Sequence, residues 1–359
     1  MMEPVYTEES DGKAKPAHLR VRDELLSWIL EGRLGPGDKL PAEPEIARQL
    51  GVARMTANKA ILSLVADGWL SRSLGRGTFV TVRSSEIQSC LIVFTPDNLA
   101  AVVENHYYGT IYWNIVSKMS QRDIRCIPIS ACDLPSALDR NTALIAVNPS
   151  SSIRASLEAL GCSGSRVVVL GSQWPGIRLS FVDSDNVLGG MLAVNHLADL
   201  GHREFAFWGS YPNDSNTQDR IRGFSAALKA RGLPAEPWRV LLSEGMEPGP
   251  ELEYGLVKLL QQGVTAVVAG GAHPAVHAMM AALAKGFDSP EGFSIVAYDD
   301  PVILNVIRPK VTTISQPLEE MAAWACQMLL SGQIPSAKPE IRIMDPSLVL
   351  RESTARPRK

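Results

Sequence analysis

Between positions 54 and 67 apolar residues recur at the helical period. Ala57, Ala60, Ile61, Leu64 and Val65 share one face, while Arg54, Thr56, Asn58, Lys59 and Ser63 point away from it. The pattern predicts an amphipathic helix with a hydrogen-bonding outer surface. Just before it, Leu50-Gly51-Val52 breaks a shorter helical stretch. Glycine ends a helix in the left-handed conformation without a Cβ penalty, so a tight helix–turn–helix is expected there. After it, 69–72 and 78–82 are β-rich runs joined by Leu74-Gly75-Arg76-Gly77. They read as a hairpin whose glycine-rich tip can approach another surface closely.

Beyond a short polar connector the pattern changes. Brief β-branched runs at 89–94, 143–148, 166–170, 204–208, 266–269 and 293–297 alternate with helical stretches. Such alternation predicts βαβ units, hence parallel sheets flanked by helices, with ligands at the carboxyl ends of the strands. The expected fold class is α/β: a winged helix-turn-helix followed by a larger parallel-sheet region.

Charge sharpens this division. The 359 residues carry a formal net charge of −3. Residues 17–83 hold ten Lys and Arg against seven Asp and Glu, whereas 84–359 hold 23 against 27. Basic character is concentrated on the small amino-terminal module, where a nucleic-acid footprint belongs. The first 16 residues are acidic and polar, and nothing in the chain approaches 18 uninterrupted apolar residues, so neither a signal peptide nor a membrane span is expected. Cys90, Cys126, Cys132, Cys162 and Cys326 are scattered and form no C-x-x-C pair, which fits reduced thiols in a cytoplasm.

The outer face of the 54–67 helix carries chemistry suited to a major groove. Arg54 offers two donors to a guanine and Asn58, one turn on, an amide to an adenine. A good bidentate pair is worth about 1–3 kcal/mol of discrimination. Lys59 suits a phosphate, Thr56 shares the outer face, and Arg76 at the hairpin tip suits a minor groove, with Gly75 allowing close approach and Arg72 on the preceding strand. One such module spans too few base pairs for useful specificity, so a homodimer on a palindromic operator is expected. This segment resembles the GntR family of bacterial winged-helix regulators over about 65 residues, through Pro36-Gly37, Leu40-Pro41-Ala42-Glu43, Gly51-Val52-Ala53-Arg54 and Gly75-Arg76-Gly77-Thr78-Phe79-Val80. Pro44 and Asn58 stand where that family often has arginines, so its operators do not transfer.

A second resemblance, to the sensor domain of the lactose/galactose-repressor family, covers residues 88–355. Its pieces are Val182-Asp183-Ser184-Asp185-Asn186, the run 196–203, Arg220-Ile221-Arg222-Gly223-Phe224, Val296-Ala297-Tyr298-Asp299-Asp300, the run 311–317 and Leu350-Arg351-Glu352-Ser353-Thr354. This resemblance implies a periplasmic-binding-protein-like sensor of two lobes joined by three crossings, with an effector between them. The domains are then a tail 1–16, a winged-helix head 17–83, a linker 84–88 and a sensor 89–355. Lobe 1 takes about 89–184 plus 316–332, and lobe 2 about 185–315 plus 333–355. Arg220 and Asp299 match the family's ligand-bonding arginine and aspartate, Tyr107 and Tyr108 its aromatic wall on lobe 1, and Met246 the place of an aromatic on lobe 2. Gly171-Ser172 and Gly271-Ala272 replace polar anchors usual in the family, and Gln173, Trp174 and His273 lie near enough in sequence to substitute.

Alternatives stay open at this stage. Arg220 and Asp299 could pair with each other, and the two tyrosines could be ordinary core. His273 and His277 have the spacing of metal ligands on a helix but no third ligand nearby, so no metal is expected. No cofactor motif, nucleophile elbow or phosphate-binding loop is present, which argues against an enzyme. The two resemblances together imply a cytoplasmic, ligand-responsive repressor that binds double-stranded operator DNA and a small effector. A sugar effector points to carbohydrate-utilisation genes; a nucleoside or purine is the alternative.

Overall fold

The computed structural model describes residues 16–358 except 36, 68, 74, 81–86, 96–104, 246–247 and 332–338. The amino-terminal module consists of helices α1 (Ala17–Leu30), α2 (Glu43–Gln49) and α3 (Arg54–Ala66), followed by strands β1 (Leu70–Ser73) and β2 (Gly77–Val80). Gly51 makes the α2–α3 turn at φ 64°, and Val52 packs against the core as its apolar character requires. Ala57, Ala60, Ile61 and Leu64 are buried against Val21, Leu25, Ile46, Leu70 and Val80. The hairpin is antiparallel, with Leu70 opposite Val80 and Ser73 opposite Gly77. The second expected strand is described as far as Val80; Leu74 and most of the expected linker lie outside the described residues.

The larger module contains two six-stranded sheets. The first runs in the order β13 (Ile341–Met344), β7 (Ser180–Ser184), β6 (Arg166–Leu170), β5 (Thr142–Val147), β3 (Ser89–Phe94) and β4 (Arg125–Ser130), all parallel. The second runs β14 (Ser347–Val349), β12 (Thr312–Ser315), β11 (Ser294–Tyr298), β10 (Ala266–Ala269), β8 (Phe205–Ser210) and β9 (Val240–Ser243), with only the β12–β14 pair antiparallel. The central strands β5, β6, β10 and β11 are almost wholly apolar because helices cover both faces, the usual condition of parallel sheets. The edge strand β4 tolerates Pro128 because an edge residue can do without a donor.

Helix Leu318–Leu330 returns to the first sheet and fills its core with Met321, Ala325, Met328 and Leu329. One strand departs from expectation. Residues 341–344 pair with β7 in the first lobe and not in the second, so the last crossing falls between Met344 and Ser347. The reason is register: Ile341–Met344 extends the first sheet beside Phe181–Ser184, whereas Ser347–Val349 finds its partner in β12. None of the five cysteines forms a disulfide. Among the described residues no helix is long and apolar enough to cross a membrane.

In lobe 2, helices Asn186–Asp199 and Ser215–Ala230 meet at glycine. A Cβ on Gly223 would lie 2.0 Å from the Val187 carbonyl oxygen, and one on Gly190 2.4 Å from that of Arg220. Backbone cannot yield as a flexible side chain can. Gly223→Ala is therefore expected to destabilise the sensor by about 1–3 kcal/mol, read by scanning calorimetry as a lowered melting temperature. Gly245→Ala, where nothing lies within 4 Å, should leave the transition in place.

Candidate functional site

Two constellations stand out, one in each module. In the first, α3 presents Arg54 at its amino-terminal end with the side chain 71% exposed, followed by exposed Lys59 and half-buried Thr56 and Asn58. A residue with no role assigned from sequence organises this face. Glu43, the first residue of α2, accepts a hydrogen bond from Asn58 Nδ2 at 2.7 Å, pairs with Arg72 and lies 3.5 Å from Arg54 Nε. One carboxylate thus holds three of the side chains expected to contact DNA. Exposed ion pairs of this kind contribute about 0–1 kcal/mol, so the cluster orients more than it stabilises. The signal of Glu43 in sequence was its place at the end of the Leu40-Pro41-Ala42-Glu43 motif. At the hairpin tip Gly75 has φ 73°, and Arg76 is exposed.

The second constellation lies where strands of the two lobes end. Three residues without glycine's freedom adopt left-handed backbone immediately after strands: Asn148 after β5, Tyr211 after β8 and Asp299 after β11, at φ 43°, 54° and 65°. Such conformations cost free energy and cluster at binding sites. Asn148 Nδ2 donates to the Tyr108 hydroxyl at 3.0 Å. Asn216 Nδ2, from lobe 2, donates to Asn148 Oδ1 at 3.2 Å and to the Gly171 carbonyl at 2.9 Å. Asn216 Oδ1 in turn accepts from Asn186 Nδ2 at 3.2 Å, and Asn186 Oδ1 accepts from Arg220 Nε at 2.8 Å. A continuous polar strip therefore joins the lobes.

Arg220 is 7% exposed. Its Nη1 donates to the Gly270 carbonyl at 2.6 Å and its guanidinium lies 4.2 Å from the centre of the Tyr298 ring. It makes no ion pair among the described residues, so the alternative of an Arg220–Asp299 pair does not hold. Asp299 instead accepts from Gln316 Nε2 at 2.6 Å. Asp183, at the end of β7, is fully buried; Ser184 N–H donates to its Oδ1, while Oδ2 has no partner. Burial pushes its carboxyl up to about 8, against the opposing pull of the Ser184 amide and of Arg220.

The aromatic residues fall differently from the expectation of a stacking wall. Tyr107 is buried in the lobe 1 core. Its hydroxyl has no hydrogen-bond partner among the described residues and lies 1.9 Å from where a Cβ on residue 171 would be, so it fills the space that Gly171 leaves. Burial raises the Tyr107 phenol, as does nearby Asp183. Tyr108 packs edge-on against Tyr107 and Phe94, and burial lifts its phenol to about 12. Trp174 packs into the core on the other face of that sheet, under the Arg154 guanidinium, away from the polar strip. His273 is exposed at the start of its helix, with its ring 4.6 Å from that of His277. Met246 lies outside the described residues. At a strand end lobe 2 offers another aromatic, Tyr211, 48% exposed and within electrostatic reach of Tyr108. Asn216 was legible as the residue four before Arg220 on one helical face; Tyr211 had no signal in sequence.

Comparison with known proteins gives a family match in each module. Residues 17–80 match the family described as "Bacterial regulatory proteins, gntR family", and residues 194–354 match "Periplasmic binding protein-like domain". The chain is thus a transcriptional regulator with a GntR-type head and a periplasmic-binding-protein-like sensor. It is 27% identical to the arabinose metabolism transcriptional repressor of Geobacillus stearothermophilus, over 95% of this chain and 98% of that protein. It is 30% identical to the regulator GalR of Escherichia coli, over 53% of this chain and 56% of that protein. Among solved structures, a CelR–cellobiose complex superposes with a TM-score of 0.65 at 19% identity, covering 88% of this chain and all of that one. A LacI-family regulator from Enterococcus faecium with bound ribose gives 0.61 at 24%, covering 75% of this chain and all of that one. These likenesses establish the fold.

Because Asp183 holds its proton more tightly folded than unfolded, the stability linked to that proton is complete in acid and is lost as pH rises through about 8. The sensor's melting temperature should fall between about pH 5 and pH 9, and Asp183→Asn, which mimics the protonated carboxyl, should flatten that fall. Parallel pH profiles for the two proteins would show that Asp183 titrates normally.

Proposed function

We propose that this chain is a cytoplasmic repressor of carbohydrate-utilisation genes, binding a palindromic operator as a homodimer and responding to a sugar in the cleft between its lobes. The observation that carries the reading is the strip from Tyr108 through Asn148, Asn216 and Asn186 to Arg220, which places alternating donors and acceptors across two lobes. Such a strip suits a ligand with hydroxyls on several sides, and Tyr211 supplies a flat apolar face against which a sugar ring can stack. Asp299 and Arg220 bond its hydroxyls.

The carbohydrate reading is favoured over the nucleoside one. The relatives matched over nearly their whole length are arabinose repressors, and cellobiose and ribose occupy structural neighbours. Tyr107 is withdrawn into the core, which weakens the case for a base-stacking wall. The chain acts by binding, not by catalysis, as its relatives are transcriptional regulators. A homodimer is supported by Met280, Leu283, Val302, Ile303 and Val306, exposed apolar residues on two helices that cover the same core of lobe 2. Within the head, Arg54 reads bases, Lys59 and Thr56 hold phosphates, and Arg76 enters the flanking minor groove.

Thermal-shift screening of monosaccharides against nucleobases tests the effector class; stabilisation by nucleobases alone would reverse the choice. Once a sugar is found, Asp299→Ala should abolish its effect on operator affinity while the apo protein binds operator normally. The wild-type response should be about 5–150-fold, the usual scale of allosteric coupling. An undiminished response in Asp299→Ala would place the ligand elsewhere. In the head, Arg54→Ala should remove specific binding and leave weak, salt-sensitive binding in a mobility-shift titration, because phosphate contacts persist.

A further inference from the structure

The part of α3 that projects furthest from the head is not its polar face. The buried residues Ala57, Ala60, Ile61 and Leu64 centre on one direction. At about 100° per residue, the opposite direction falls beside Met55, Lys59 and Leu62. The exposures agree: Met55 is 79% and Leu62 47% exposed. Two large apolar side chains thus flank one lysine along the outermost ridge, and Met55 lies in the first turn beside Arg54. The ridge borders a hollow of about 490 Å³ that also takes in Ala17, His18 and Thr56 at its edge.

Nothing in the head's own packing calls for an apolar residue at position 55. Meanwhile the polar groups beside it are engaged, since Asn58 and Arg72 are both bound to Glu43. The first turn of a recognition helix is the part that reaches base edges, and the major groove displays one apolar feature there, the 5-methyl group of thymine. We propose that Met55 reads a thymine methyl, so that one position of each half-site is specified by an apolar contact and not by a hydrogen bond. The proposal rests on the reading of the head as a DNA-binding module. Lys59, next on the ridge, supplies charge without sequence information. Met55 also suits the task chemically, because its unbranched thioether adapts to a small apolar target.

The test uses the full-length protein and duplexes selected from a randomised library, first with wild type and then with Met55→Ala, Met55→Leu and Lys59→Ala. Each selected thymine is then replaced by deoxyuridine, which removes only the methyl group. In wild type one replacement per half-site should weaken binding about fourfold, the value of one buried carbon at roughly 0.8 kcal/mol. Met55→Ala should bind the thymine and uracil duplexes equally, Met55→Leu should keep the preference, and Lys59→Ala should weaken both alike. Folding is not at risk at so exposed a position. Equal binding of all uracil duplexes by wild type, or an unchanged uracil penalty in Met55→Ala, overturns the proposal while leaving the head a DNA reader. Loss of self-association in Met55→Ala with thymine preference intact would assign the ridge to a second copy of the chain and overturn it as well. If no duplex is enriched at all, the DNA-binding reading itself fails.

Discussion

Burying a guanidinium is unfavourable unless its N–H groups are satisfied, and in the sensor Arg220 is satisfied without a carboxylate. Asn186 and the Gly270 carbonyl take two of its donors, and the Tyr298 ring lies against its face. Each of these partners is itself committed. Asn186 passes the strip on to Asn216, Tyr298 donates to the Asn186 carbonyl at 2.9 Å, and Gly270, which follows β10, donates its N–H to the Trp208 carbonyl at 2.7 Å. The charge of Arg220 is therefore held by neutral groups drawn from three elements of lobe 2, and Asn186 ties them to lobe 1 both through Asn216 and by donating to the Ser184 carbonyl at 3.1 Å. A charge so placed remains available to an incoming polar ligand, because no acid neutralises it.

The same strip explains why unpartnered polar atoms gather at the lobe junction. Among the described residues, Tyr107 Oη, Asp183 Oδ2, Ser184 Oγ and Gln316 Oε1 are all buried without hydrogen bonds. Asp183 and Ser184 close β7 just before the first crossing, and Gln316 follows β12 at the second. Unsatisfied buried groups cost about 1–3 kcal/mol each, a cost borne where the chain passes between lobes.

The head solves a different problem with one carboxylate. Glu43 gathers Asn58, Arg72 and Arg54, so the polar face of α3 is preorganised and partly occupied before it meets a partner. The outermost positions of the helix fall to Met55, Lys59 and Leu62. The helix and its buried side follow from the period of the apolar residues, whereas the ridge depends on angular distance from the core, which polarity does not report.

Much of the fold could be read from the pattern of residues alone. The helical period of Ala57, Ala60, Ile61 and Leu64, the turn at Gly51, and the apolar runs of β3, β6 and β10 each follow from local constraints on a few consecutive residues. The short edge strands β4 and β9 were not legible, because half-buried four- to six-residue runs with a proline or mixed polarity look like loops until a neighbour pairs with them. The placement of Ile341–Met344 in lobe 1 depended on register against β7, which no local pattern encodes. At the site, Arg220 and Asp299 were marked by the family motifs that contain them. Sequence did not reveal that Tyr107 fills the space beside Gly171, that Trp174 turns to the opposite face of its sheet, or that Tyr211 and Asp183 stand at the lobe junction. Periodicity and turn chemistry are properties of neighbouring residues. Which side chain occupies a space vacated by another 64 positions away is decided only when the sheets have closed around both.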